Sequence, residues 1–262
     1  MVSARRILKI IAGFPLVISS VIAFSIFTPL AHGTEDDPHA MHHHAGVSMP
    51  SDSSLESIDA VMRAKLLADK TESEFNHHLA GLLVVFAGLV ILAESNLKER
   101  WPAIRHVWPL CFLISGLFVL IFSDTELWPF GPQRWVFGLT QHPEVRQHKL
   151  FALLLLGVGV IELQRTRGSL KAAWSTWVFP ALAVAGSVML FFHDHQGSMH
   201  TASQMALMER VQSQHASFAV TGLGIALSKG LAEMPFSWRQ FFERLFPTLL
   251  VVLGSLLLVY VE

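Results

Sequence analysis

Cysteine is almost absent from this chain. Its 262 residues include one, Cys111, which cannot close an internal disulfide and removes every zinc or iron–sulfur motif that needs several thiolates. Charge is scarce too: 15% of the residues are Asp, Glu, Lys or Arg, against about 25% in a soluble globular domain. The charges nearly cancel, 19 basic against 20 acidic, so there is no basic field of the kind that binds nucleic acid, and no nucleic-acid partner is expected. A Walker-type Gly-rich loop, a G-x-S-x-G elbow, an H-E-x-x-H motif and paired cysteines are missing as well. An enzyme is therefore not expected. No tandem repeat or low-complexity linker divides the chain.

Apolar residues dominate, at 52%. Arg5, Arg6 and Lys9 followed by the apolar stretch Ile10 to Leu30 and by Ala31-His32-Gly33 read as a cleavable signal peptide over residues 1–33, with an uncleaved anchor helix as the alternative. Six further stretches, 77–94, 104–122, 148–164, 174–192, 211–228 and 244–261, approach the ~20 residues that cross a bilayer. The expected fold is thus all-α and integral to the membrane: a six-helix transmembrane bundle over 77–262, preceded by an extracytoplasmic tail over 34–76. The expected inner segments carry Lys98, Arg100, Arg105, Arg165, Arg167, Lys171, Lys229, Arg239 and Arg244, whereas the short outer loops carry only Arg134, Arg146, Lys149 and Arg210. That bias puts both ends of the mature chain on the periplasmic side of the bacterial inner membrane. All seven Trp residues fall at or near span ends, as an aromatic belt would place them. The fifth stretch is the weakest, because Gln212, Gln214, His215 and Ser217 crowd its start.

The tail is acidic, with nine carboxylates against three basic residues between Thr34 and Asn76. It holds the cluster His39-Ala40-Met41-His42-His43-His44, a mixture that binds Cu(II) through imidazole and Cu(I) through thioether. A solvated low-complexity stretch or an expression tag is the bland alternative. From Ser54 to about Lys70, Leu55, Ile58, Met62 and Leu66 share one face behind the capping-box pattern Ser53-x-x-Glu56, and a short amphipathic helix is expected there.

Histidine is the unusual supply, 14 residues. On the expected topology His77 and His78 open the first span, His148 the third and His215 the fifth, while His193 and His195 close the fourth. Four helices thus bring imidazoles to one level, the outer edge. A lone histidine there more often caps a helix or snorkels; agreement among helices favours a shared metal or cofactor site. His77 and His78 stand about 100° apart on a helix, so one faces inward and the other flanks it. His193-Asp194-His195 with Met199 and His200 adds three imidazoles, a thioether and a carboxylate that ligates or orients an imidazole. Asp124, Glu126 and Glu144 are expected to be solvated loop residues, and Gly81, Gly88, Gly222 and Gly224 to allow close helix packing.

The segments Asn76-His77-His78-Leu79-Ala80-Gly81-Leu82, Gln147-His148-Lys149-Leu150-Phe151, His193-Asp194-His195 and His215 resemble, in that order, the membrane domain of bacterial copper-resistance D proteins over about residues 75–230. The resemblance implies an inner-membrane protein that handles copper arriving from the periplasm, brought by a periplasmic copper-binding donor protein. Members of that family often carry a Glu shortly before the last histidine; Gln212 stands here instead.

The reading that follows is a bundle binding copper at its periplasmic edge through His78, His148, His193, His195 and His215, with the tail capturing the ion. Its rival is a b-type haem electron carrier using outer histidines as axial ligands. The topology is open to test: reporter fusions at Gly168 and Gly230 should report cytoplasm, and fusions at Gln196 or after residue 262 should report periplasm. Inversion at any two of these positions would reject it.

Overall fold

The computed structural model describes residues 52–191, 202–235 and 237–262. The expected signal peptide and most of the tail therefore lie outside the described residues. The chain divides into two units at Leu66/Leu67; the described part of the first is the beginning of a helix, and all packing below belongs to the second.

Seven helices are described: α1 (Asp52–Leu97), α2 (Val107–Phe122), α3 (Trp135–Gln141), α4 (Pro143–Thr166), α5 (Val178–Phe191), α6 (Ala202–Ala232) and α7 (Arg239–Leu258). Among the described residues there is no strand, only an isolated bridge between Leu127 and Gln133. No Pro or Gly interrupts the chain from Asp52 to Ala80, so the amphipathic segment and the first span, expected as separate pieces, form one helix. Pro102 opens a 3-10 turn leading into α2, and Pro143 opens α4 with Glu144 in its first turn. These are positions where a missing N–H costs nothing and an acid complements the helix dipole. α4 stops at Gly168, whose φ of 74° is the left-handed conformation that closes a helix and that only glycine adopts without strain.

Among the described residues four helical stretches are long and apolar enough to cross a membrane: Arg63–Leu97, Pro102–Phe122, Ala173–Phe191 and Arg239–Leu258. The surface agrees with that composition. Leu82, Phe86 and Leu89 on α1, Ile114 and Leu117 on α2 and Val184 and Val188 on α5 face outward, while small or polar residues such as Ser115, Ser175, Ser187 and Ser228 are buried. An apolar exterior around a small-residue interior is the pattern of helices packed in lipid. α4 and α6 are not among the four, and they carry charged and polar residues; Arg146, Glu209 and Arg210 near their starts are exposed, whereas two charges of α4 are turned inward. Lys149 and Glu162 on α4 are 5% and 3% exposed.

Neighbours pack in the order α2, α4, α5, α6, α7, and α1 joins α7 to α2. The α1–α7 contact is made by backbone. A Cβ on Gly254 would stand 2.6 Å from the Val85 nitrogen and 2.7 Å from the Gly81 carbonyl oxygen, and one on Gly88 would stand 2.7 Å from the Pro247 carbonyl oxygen. α2 and α4 approach similarly, with Gly116 against Ala152 and Leu156 and Gly159 against Leu113. The expectation that Gly81 and Gly88 serve packing is met. Gly222 likewise lies against Ser187 and Gly224 against Leu249.

Inside, Trp108 and Phe112 of α2, Phe179 of α5 and Phe246 of α7 form an edge-to-face layer with centroids 5.2 to 6.5 Å apart, joined by Val84, Ala87, Val90, Val158, Ile225 and Leu250. Beyond it, Arg165 bridges Glu162 at 2.8 Å and Glu233 at 3.2 Å, and Lys229 meets Glu233 at 2.7 Å. Burial alone would raise the Glu233 carboxyl; Lys229 and Arg165 outweigh it and hold it below the usual range. His106 pairs with Thr166 at this end (3.1 Å). The opposite end carries the other described histidines of the bundle.

The backbone contact makes a definite prediction. Gly254→Val should lower stability in detergent micelles by about 3 kcal/mol, since two backbones must separate. Gly157→Ala, whose Cβ would meet only the tip of Leu182 at 3.2 Å, should cost far less. Equal unfolding midpoints for the two variants would refute the close crossing.

Candidate functional site

His77 lies on α1 and His215 on α6, and the two rings come within 5.9 Å, centroid to centroid, at 69°. Each is held by the same local device. His77 Nδ1 lies 2.8 Å from the Ser73 carbonyl oxygen and His215 Nδ1 3.0 Å from the Val211 carbonyl oxygen, both four residues back on their own helices. A carbonyl only accepts, so each Nδ1 carries a proton. His215 is 3% exposed. His78 turns aside, and its Nε2 donates to the Tyr260 carbonyl oxygen at 3.0 Å. His77 is thus the inward member of the pair and His78 the flanking one.

Tyr260, the single tyrosine of the chain, organises this group. It follows α7, is fully buried, and stacks face to face on His77 with centroids 3.9 Å apart and a 21° tilt. Phe218, one turn beyond His215 on α6, closes the far side. Burial pushes the Tyr260 phenol far above its ordinary value, with Glu262 and Glu144 adding to the effect. It stays neutral at physiological pH.

His148 belongs to a second group at the same end. Its Nδ1 donates to Asp124 Oδ1 at 2.9 Å, and Lys149 Nζ meets Asp124 Oδ2 at 2.8 Å. Lys149 also donates to the Leu120 carbonyl (3.0 Å) and to Ser123 Oγ (3.2 Å). Ser123 caps the same carboxylate. The solvated-loop expectation fails for Asp124, which is 5% exposed. Burial raises its carboxyl, but the hydrogen bond and charge of His148, with Lys149 and Ser123, overcome that and bring it to about 2. Lys149, which the sequence suggested as an outer-loop charge, lies within α4 over the Trp135 ring at 5.2 Å. The two groups are tied at one end of the bundle by Thr125 Oγ1 donating to Glu72 Oε2 (2.8 Å) and by Phe75 against Phe118.

Of the expected ligands, then, His77, His78 and His215 gather around Tyr260, and His148 stands with Asp124. Among the described residues no group of three or more His, Cys, Asp or Glu side chains converges closely enough to hold a metal ion. His39, Met41, His42, His43 and His44 of the tail, and His193, Asp194, His195, Met199 and His200 between α5 and α6, lie outside the described residues. Chemically, the described end offers imidazoles whose tautomers are set by oxygen acceptors, one of them the carboxylate–histidine pairing that raises ligand basicity. No known protein family, no curated protein and no solved structure matches the chain.

The Asp124 group predicts an acid response. A depressed carboxyl contributes stability that is present above its unfolded value near 4 and lost as pH falls through about 2. Asp124→Ala, which strands a buried lysine, should lower stability at pH 6 by roughly 3 kcal/mol, and Asp124→Asn by less. Thermal unfolding in micelles at pH 6 and pH 2.5 checks this. The gap between wild type and Asp124→Ala should narrow at the lower pH, and a pH-independent gap would show that the ion pair contributes nothing.

Proposed function

We propose that the chain is a six-span inner-membrane protein that accepts copper at its extracytoplasmic face, for transport, transfer to a partner or resistance. The observation that carries this reading is the meeting of His77 and His215. Two imidazoles sharing one ion, at a metal–nitrogen distance of about 2.0 Å, have ring centroids roughly 5 to 6.5 Å apart; these stand 5.9 Å apart. Imidazole suits copper among several metals, and the resemblance to copper-resistance D membrane domains selects copper within that set. The further ligands in this reading come from His193-Asp194-His195, which begins two residues after α5 ends at Phe191, and from His148. Met199 and His200 follow in the sequence, and the tail histidines with Met41 act as the capture arm, receiving the ion from a periplasmic donor.

The six-span count rests on α4 and α6. They have 24 and 31 residues, about 36 and 46 Å at 1.5 Å per residue, and they stand between apolar neighbours in the packing order. Lys149, Glu162, Arg165 and Lys229 on them pair with opposite charges, the state in which a bilayer tolerates charge. With six spans and the positive-inside bias, the histidine end faces the periplasm.

Purified protein loaded anaerobically with Cu(I) against a competing chelator should hold copper in stoichiometric amount without a Soret band. His77→Ala and His215→Ala should each weaken binding by about 10- to 100-fold, the scale on which metal sites respond to lost support. A Soret band in the protein as isolated would replace copper with haem. Full affinity in both variants would leave the two histidines with a packing role only.

A further inference from the structure

The three residues after the turn that ends α7 are fastened one by one across the histidine end. The Tyr260 carbonyl accepts from His78 Nε2. The Val261 backbone is gripped at two points by one side chain, its N–H donating to Gln214 Oε1 at 3.1 Å and its carbonyl accepting from Gln214 Nε2 at 2.9 Å. The Glu262 N–H donates to Glu74 Oε1 at 3.0 Å, and its carbonyl accepts from Lys70, which also pairs with Glu74. The fasteners on α1 are Lys70, Glu74 and His78, four residues apart each time, so they form one stripe along a single helix face. The fastener on α6 is the residue immediately before His215.

We propose that residues 260–262 form a strap that positions the imidazoles of the copper site, with Tyr260 as its positioning residue and Gln214 as its clamp; this rests on the copper reading of His77 and His215. A half-buried histidine has two rotatable bonds, and a ligand is effective only when its ring plane is set before the ion arrives. The Tyr260 ring sets the plane of His77 by stacking on it, while the Tyr260 carbonyl holds His78 turned away. Gln214 secures Tyr260 by fixing the next peptide, which ties the orientation of His77 to the residue beside His215. The phenol hydroxyl takes no part: it is buried beside Ser73 without a hydrogen bond of regular geometry. The ring and the backbone do the positioning, so phenylalanine should substitute for tyrosine.

The test uses full-length protein in micelles with the variants Gln214→Ala, Tyr260→Ala and Tyr260→Phe, and it has two arms. In metal-free protein, diethyl pyrocarbonate labelling followed by mass spectrometry reads the reactivity of His77 and His78. Gln214→Ala and Tyr260→Ala should be labelled several-fold faster at both, and Tyr260→Phe at the wild-type rate. In the second arm, chelator competition for Cu(I) should show affinity lowered about tenfold in the first two variants and unchanged in Tyr260→Phe. Gln214 is partly exposed, and its removal should leave the metal-free unfolding midpoint within a few degrees of wild type, which separates positioning from loss of fold should Tyr260→Ala prove unstable. Unchanged labelling and unchanged affinity in Gln214→Ala would overturn the strap. If wild type binds no copper yet Gln214→Ala still frees His77 and His78 for labelling, the copper reading falls and the strap stands.

Discussion

The approach of α1 to α7 at Gly81 and Gly254 sets the register of everything at the histidine end. With no side chain on either residue, the two backbones touch, and the crossing point fixes what lies beyond it on each helix. Four residues back from Gly81 stands His77; six residues on from Gly254 stands Tyr260, and these two stack. A side chain at the crossing would push the helices apart by more than the tolerance of a ring stack with centroids 3.9 Å apart. The imidazole group is therefore a consequence of two glycines whose own chemistry is nil.

The two ends of the bundle are built differently. At one, an aromatic layer is backed by the Glu162, Arg165, Glu233 and Lys229 network, a set of charges that neutralise one another between α4 and α6. At the other, Asp124 neutralises Lys149 and orients His148, and the imidazoles of His77, His78 and His215 gather around Tyr260. Charge inside the bundle is thus tolerated by pairing in both places.

Much of this was legible in the sequence. The apolar stretches mark the helices, and the spacing of histidines at their outer ends foretold that His77 and His215 would share a level. The expected copper set took His78 from the pair, whereas the ring that meets His215 is that of His77, because a 100° step says that the neighbours diverge without saying which one meets a partner. Asp124 was misread because an acid following an apolar helix looks solvated until the lysine that opens the next helix is seen to turn toward it. Tyr260 was invisible for a related reason: its contacts run to Ser73, His77 and His78, some 180 residues away, and no local pattern encodes a pairing of that length. Gln214 was noticed only as a polar blemish in a span; it proves to be the partner of a peptide that had to be satisfied.

The order of packing also has a meaning for assembly. Apart from the short α3, which rests on α4, the helices from α4 to α7 each rest on one made shortly before, so hairpins can form as the chain is synthesised. The exception is the seam between α1 and α7, joining the earliest described helix to the latest. His77 waits on the first side of that seam and Tyr260 arrives on the last. A chain released early, or one whose closing helix has not docked, leaves His77 without the ring that stacks on it. On the proposed copper reading, competence to bind is postponed until that seam is shut.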